Sequence, residues 1–328
     1  MNDPQYEFSL SRLEAAAALV YREMPATPQY AWPTLRDALG IDLWVKHENH
    51  TPTGAFKIRG GISFIHWLKD SHPDCRGIVT ATRGNHGQSQ ARAASKASLT
   101  TTIVVPHKNA SEKNDAMRAF GATLIEHGAD FDEARAHAQQ LAVSEDLYLV
   151  PSFHSALVSG VASYALELFR AVPDIDSLYV PIGCGSGICA VIAARDALGL
   201  TTEIIGVVSE AAPAAARAFA SGQLESTASA RTFADGVAVR SVVPDALAIY
   251  QKGASRVVEV SDDAIADAIR MYFRCTHNVA EGAGAAPLAA LIKERDAQRG
   301  KRVAVILCGG NIDSQVFETV LSGRTPEA

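Results

Sequence analysis

Lys57 stands in the stretch Thr51-Pro52-Thr53-Gly54-Ala55-Phe56-Lys57-Ile58-Arg59-Gly60-Gly61, after a turn of small residues and an aromatic, and at the head of an apolar helical run from Ile58 to Leu68. An amine placed there is partly shielded from water. Shielding disfavours the ammonium form and lowers the pKa, which leaves a free amine able to form a Schiff base with an aldehyde near neutral pH. On these residues alone the competing reading is a solvated lysine at a helix start beside Arg59.

Three further stretches carry chemistry. Gly183-Cys184-Gly185-Ser186-Gly187 lies between an expected strand and an expected helix, so its N–H groups and the helix start can converge on an anion; the dipole there contributes ~0.3–1 kcal/mol. Ile188 occupies the position where a dinucleotide fingerprint has its third glycine or alanine, and the Lys-Ser/Thr pair of a nucleoside triphosphate loop is absent. A single phosphomonoester is the ligand that fits, against the alternative that the glycines only let the helix pack closely.

Thr82-Arg83-Gly84-Asn85-His86-Gly87-Gln88 also joins a strand to a helix and offers donors to a carboxylate, with the Asn85 amide able to reach a phenolic or carboxylate oxygen. A loop asparagine satisfied by its neighbours and a solvated His86 form the plainer account. Cys308 ends an apolar strand before Gly309-Gly310-Asn311. Ligands of open α/β sheets collect at such carboxyl ends, although a cysteine there also serves as a small hydrophobe.

The elements that must position these residues alternate. After a helix over Ser9 to Glu23, strands are expected at Ile41–Lys46, Gly77–Ala81, Thr100–Val105, Ala122–Glu126 and Tyr148–Val150, with helices from Ile58 to Leu68, about Ser89 to Ala97, Glu112 to Phe120 and Phe131 to Ser144. The second half continues with a helix at Gly160–Ala171, a strand at Leu178–Ile182, a helix at Ile188–Leu198, a strand at Glu203–Val208, a helix at Ala214–Ser221, a strand at Arg256–Val260, a helix at Asp262–Cys275 and a strand at Arg302–Leu307. This alternation implies parallel sheets, about four strands in the first half, in two α/β units facing a cleft.

The chain has 328 residues, 48% of them hydrophobic and 20% charged, with a formal net charge of −6 and no basic run. Neither nucleic acid nor an anionic membrane has an electrostatic footprint to bind. Five cysteines without a CxxC pair and an amino terminus without a secretion signal point to a reduced, cytoplasmic setting.

With these residues assembled, the chain resembles the fold-type II pyridoxal phosphate enzymes, the tryptophan synthase β-like family, and within it the serine/threonine dehydratases and serine racemase. The motifs Gly-Ala-Phe-Lys-Ile-Arg-Gly, Gly-Asn-His-Gly-Gln, the glycine loop and Cys-Gly-Gly-Asn, in that order, carry the resemblance from Thr27 to Asn311. It implies two three-layer α/β domains around a central cleft, a large cofactor-binding domain of residues 1–74 and 153–328 and a small mobile domain of 75–152, assembled as a homodimer.

Carried over to this chain, the resemblance implies that Lys57 bears pyridoxal 5'-phosphate and is the catalytic base. Phe56 packs on its ring, Asn85 faces the ring's phenolic oxygen, Gly183, Cys184, Gly185, Ser186 and Gly187 hold its phosphate, and Glu281 and Gly236 line the ring. Cys308 faces the pyridine nitrogen, where serine is commoner. Thr82, Arg83, Gly84, Asn85, His86 and Asp235 form the substrate side. The implied reaction is β-elimination from a 2-amino-3-hydroxy acid of the threonine or serine type, with 3-hydroxyaspartate and phenylserine as further candidates, giving a keto acid and ammonia. The cofactor phosphate is then the acid that protonates the departing hydroxide.

Two departures narrow this reading. Racemase-like relatives carry a serine where this chain has Arg83, and a guanidinium stays protonated and is a poor base; the cation could bind a second substrate carboxylate or turn to solvent. The family's divalent-cation site begins at a glutamate matching Glu210, but Ala216 stands where its second carboxylate belongs, so no tightly bound metal is expected. A β-replacement enzyme or a racemase of the same fold is the alternative function. The absence of a regulatory domain after Asn311 suggests a short catabolic form.

Overall fold

Gly77-Ile78-Val79-Thr80-Ala81 is almost wholly buried along its length, as a strand covered by helices on both sides must be. In the computed structural model, which describes residues 6–327, ten strands follow in chain order: β1 (Gln29–Tyr30), β2 (Asp42–His47), β3 (Gly77–Ala81), β4 (Thr100–Val105), β5 (Thr123–Glu126), β6 (Tyr148–Leu149), β7 (Ser177–Pro181), β8 (Glu203–Ser209), β9 (Arg256–Val260) and β10 (Arg302–Leu307). They form two sheets. One has six strands in the order β1-β2-β10-β7-β8-β9, and the other has four in the order β5-β4-β3-β6.

Every pairing is parallel except that of the short edge strand β1 with β2. The chain is therefore a mixed α/β protein with mostly parallel sheets, as its residue pattern implies. The strand expected at 41–46 does not join the first-half sheet. It appears as β2 and pairs with β10, Val45 opposite Val305, which brings two distant parts of the chain together at the centre of the larger sheet.

Several boundaries differ for physical reasons. The helix expected from about Ser89 begins at Asn85, and the one expected from Ile188 begins at Ser186, because the glycines before them form the tight turn and leave the polar residues in the first helical turn. Helices at Pro33–Leu39 and Pro244–Gly253 were not expected. Both start with proline, which reads as a breaker yet suits the first helical position, where its missing N–H costs nothing. The helix Gly282–Lys293 contains Gly282, Gly284 and Pro287 and is buried over most of its length. Tertiary packing, not propensity, holds it. A last helix, Ser314–Leu321, follows β10.

Candidate active site

The turn carrying Lys57 is stitched to the carboxyl end of β10. Phe56 N donates to Cys308 O at 2.9 Å, Gly310 N donates to Gly54 O at 2.9 Å, and Ala55 forms an isolated antiparallel bridge with Gly309. Thr51 closes the turn by accepting from Ala55 N at 2.9 Å and donating to Ala55 O at 2.8 Å. Lys57 then opens the helix Lys57–Ser71, with its carbonyl accepting from Ser89 Oγ at 2.7 Å. A lysine held through its backbone from both sides leaves only its side chain free to move.

The Lys57 amine points at the glycine loop. Its Nζ donates to Ser186 Oγ at 3.1 Å and lies 4.9 Å from the centre of the Phe56 ring. That ring meets Tyr164 edge-on, centroids 6.1 Å apart, and the Tyr164 hydroxyl donates to Gly187 O at 3.3 Å. The loop ends at Gly185, with φ +96°, a backbone conformation that L side chains rarely adopt. The helix Ser186–Ala197 that follows has no side-chain cap, so its first N–H groups face the same space as the amine.

Asn85 begins the uncapped helix Asn85–Lys96 and is the hub on the other side. Its Oδ1 accepts from Asn311 Nδ2 at 2.8 Å, and Asn311 Nδ2 also donates to Thr53 O at 2.8 Å. Its Nδ2 donates to Glu281 Oε1 at 2.7 Å, which uses one of the two amide hydrogens and leaves the other for a ligand. His86 beside it has Nε2 sealed from solvent with no hydrogen-bond partner. Thr82 Oγ1 accepts from Gly84 N at 3.0 Å and shapes the turn.

Asp235, in the 3-10 turn Asp235–Val237, faces two cations. Lys113 Nζ donates to Asp235 Oδ2 at 2.8 Å, and Arg83 Nη1 lies 3.8 Å from Asp235 Oδ1 with its side chain 44% exposed. Gly236 lies next to Gly183, whose Cβ, were one present, would come 2.3 Å from Gly236 O. Glu210 is at the surface, its Oε1 3.6 Å from Lys293 Nζ. Among the described residues no group of three or more His, Cys, Asp or Glu side chains is arranged to hold a metal ion.

Burial sets the charges. The protein packed around Lys57 disfavours its ammonium and lowers its pKa, against the opposing pull of Cys184, Cys308 and Glu281. His86 is held down to about 3, first by burial and then by Lys57, so it stays neutral. Cys308 is 4% exposed, and burial together with Glu281 raises its thiol well above the ordinary value. Glu281 is raised to about 7 by burial, with Lys113, Asn85 and Lys57 working the other way. The site thus has an amine whose ammonium form is disfavoured, a neutral imidazole, a neutral thiol and a carboxyl that titrates near neutrality.

The stretches at Lys57, at 82–88, at 183–187 and at 308–311 are joined by these contacts. Lys113 was missed. It sits in the polar helix Ser111–Ala119, whose composition carries no signal of a site; only the approach of Asp235 from 122 residues away gives it meaning. Asn311 appeared only as the end of a motif, not as the residue that orients Asn85.

A lysine amine and an uncapped helix start facing each other, with an unpartnered imidazole and a free amide hydrogen alongside, suit a phosphorylated aldehyde with further polar groups. This defines the class of fold-type II cofactor enzymes. The chain belongs to the family described as pyridoxal-phosphate dependent enzymes, which it matches over residues 21–309; its cofactor is pyridoxal phosphate.

It is 34% identical over 306 residues to the biosynthetic L-threonine dehydratase of Pasteurella multocida, covering 92% of this chain and 59% of that one. It is also 34% identical over 289 residues to the L-threonine ammonia-lyase of Geobacter sulfurreducens, covering 87% and 71%. The processed threonine deaminase isoform 2 of Solanum lycopersicum superposes with a TM-score of 0.90 at 28% identity, covering 98% of this chain and 94% of the other. The chain thus spans about three-fifths of the length of the Pasteurella relative.

Proposed function

We propose that the chain is a pyridoxal phosphate-dependent ammonia-lyase that dehydrates a 2-amino-3-hydroxy acid of the threonine or serine type to a 2-keto acid and ammonia. The observation that carries this is the buried-side amine of Lys57, 3.1 Å from Ser186 Oγ at an uncapped helix start. Pyridoxal phosphate, when bound, supplies an electron sink for the negative charge that develops at the α-carbon.

The chain's own residues do the rest in this reading. Lys57 holds the cofactor and then, as a free amine of lowered pKa, takes the α-proton at Nζ. Gly183, Cys184, Gly185, Ser186 and Gly187 would hold the phosphate through backbone N–H groups, Phe56 would pack beside the ring, Gly236 would line it, and Asn85 would offer its second amide hydrogen to the phenolic oxygen. The Cys308 thiol, held neutral by burial, would face the pyridine nitrogen and be a weak proton source for it. Thr82, Gly84, Asn85 and His86 bind the substrate carboxylate, with Arg83 and Asp235 at the side-chain end.

We assign residues 75–152, which carry the four-stranded sheet, to a small domain that moves against the large one of residues 1–74 and 153–328. The enzyme is cytoplasmic and a homodimer in this reading; no helix among the described residues is long and apolar enough to cross a membrane. Arg83 stands against racemisation, because no base for the opposite face of the α-carbon is supplied there.

Purified protein incubated with L-threonine, L-serine, 3-hydroxyaspartate and phenylserine should release ammonia and keto acid in equal amounts from at least one, and Lys57→Ala should release none while keeping its fold. Formation of the D-amino acid without ammonia would make it a racemase instead.

A further inference from the structure

Hydroxide departs readily only if it leaves as water; the family resemblance gives the proton for this to the cofactor phosphate, and the structure offers a carboxyl group of the chain itself. Glu281 stands at the start of the helix Gly282–Lys293, with its N–H donating to Gly309 O at 3.1 Å. Its side chain is 5% exposed and lies against Gly309, where a Cβ would come 2.6 Å from Glu281 Oε1. A side chain at position 309 would therefore displace the carboxyl. Oε1 is tied to Asn85 Nδ2 at 2.7 Å, and Oε2 makes no hydrogen bond among the described residues.

In the reading above the Asn85 amide faces the phenolic oxygen and Asn85 belongs to the turn that binds the substrate carboxylate, so Glu281, bonded to that amide, lies at the ring next to that turn. The other charged and titratable groups facing it are Lys57, Lys113, Asp235 and Cys308. Lys57 and Cys308 come from the turn and the strand end that are stitched together, and Lys113 and Asp235 form an ion pair with each other. Of these, Cys308 is held as a neutral thiol far from releasing its proton, and Lys113 is committed to Asp235 at 2.8 Å.

We propose that the Glu281 carboxyl group donates the proton to the departing β-hydroxyl. This rests on the ammonia-lyase reading. Lys57 Nζ takes the α-proton and becomes an ammonium, and the electron pair of the broken C–H bond forms the new bond to the β-carbon. The C–O bond breaks with its pair going to oxygen, and Glu281 supplies the proton that makes the product water. The ammonium of Lys57 then returns its proton to the Glu281 carboxylate, and both groups regain their starting states with no oxidant or reductant involved. A carboxyl raised to about 7, and so about half protonated near pH 7, is suited to the task.

The test compares leaving groups. L-serine and 3-chloro-L-alanine have similar size, but chloride leaves without a proton. In the holoenzyme, Glu281→Gln keeps an oxygen for Asn85 and removes the acidic proton; it should slow serine turnover by about a hundredfold or more and slow 3-chloroalanine turnover far less, so that the ratio of the two falls by at least about thirtyfold. Equal slowing of both, or of neither, overturns the proposal and leaves the ammonia-lyase reading intact. Release of ammonia from neither substrate by the wild-type enzyme overturns that reading and the proposal with it.

Two measurements on the wild type apply even if the variant does not fold. The ratio of serine to 3-chloroalanine turnover should fall as pH rises through about 7, and a flat ratio counts against a titrating donor. Carbon-13 NMR of holoenzyme labelled at its glutamate carboxyls should show one resonance titrating near 7. All glutamates titrating at the ordinary value of about 4.3 would overturn the proposal.

Discussion

Arg59 Nε donates to Glu48 Oε2 at 2.7 Å with both side chains wholly sealed from solvent, two residues beyond Lys57. The guanidinium is saturated. Its Nη2 donates to Glu48 Oε1 at 3.0 Å, Glu167 Oε2 at 3.0 Å and Thr27 Oγ1 at 3.1 Å, and its Nη1 to Glu167 Oε1 at 2.6 Å and Ser163 Oγ at 2.9 Å. Lys46 Nζ adds a contact to Glu167 Oε2 at 2.5 Å. Two cations and two carboxylates thus balance under the first turn of the lysine's helix. Burying them costs much in desolvation, but the removal of one member leaves the others unpaired in a dry place, at about 3–5 kcal/mol. Arg59→Met should lower the unfolding free energy by that amount in denaturant titration. Arg59→Lys should recover little of it, because a single ammonium cannot serve both carboxylates in fork geometry. A loss below about 1 kcal/mol for Arg59→Met would mean that the cluster reorganises around the gap.

Gly185→Ala tests the phosphate loop. Its φ of +96° is strained for any L side chain, and the new Cβ would come 2.5 Å from Ala246 Cβ. The expected outcome is a loss of about 1–3 kcal/mol in stability together with weaker retention of the cofactor, read as loss of the bound chromophore on dialysis. Gly199→Ala, also at positive φ but with nothing near the added Cβ, separates the two causes. It should cost stability by backbone strain alone and leave the chromophore in place.

Arg83 and Asp235 bear on substrate choice. The guanidinium is 3.8 Å from a carboxylate that already accepts from Lys113, so it is the less committed of the two cations and the freer to meet a second substrate carboxylate. Arg83→Ala should raise KM for 3-hydroxyaspartate by about tenfold or more while leaving L-serine and L-threonine within about twofold, as the loss of one charge-assisted contact of ~1.5–3 kcal/mol implies. Equal effects on all three would return Arg83 to a solvent-facing role.

Glu281 also leaves a mark on stability. Its pKa rises on folding from 4.5 to about 7, so the folded state holds a proton that the unfolded state releases above pH 4.5. Its contribution is therefore whole below about 4.5 and is lost as pH climbs to about 7, some 3 kcal/mol in all at ~1.4 kcal/mol per pH unit. The difference in unfolding free energy between wild type and Glu281→Gln should decline over that window and level off above it. A difference that is constant from pH 4 to 8 would place the carboxyl at its ordinary pKa.

What could be read from the residues follows from where each signal lives. Lys57, Asn85, the loop 183–187 and Cys308 lie at junctions between strand and helix, where residue type and neighbours within a few positions dictate the local geometry. For the same reason the limits of β3, β4, β9 and β10 coincide with the expected ones. Arg59 is different: its partner Glu167 is 108 residues away, and only the packing of the helix Lys57–Ser71 on the helix Ser155–Ala171 brings the two together. Lys113 and Asp235 meet in the same long-range way. Sheet order is equally silent in the local pattern, since nothing in the run Arg302–Leu307 marks it for a place between β2 and β7.

That place has a consequence for how the protein is made. The four strands of the smaller sheet come from one continuous stretch between residues 77 and 149, and they can pair as soon as that stretch leaves the ribosome. The larger sheet cannot. Its β2 waits through more than 250 residues of synthesis for β10, which must enter between β2 and β7. Because Phe56 N reaches Cys308 O only after that entry, the lysine's turn is locked last, and a nascent chain stalled before β10 has no site in which to bind the cofactor.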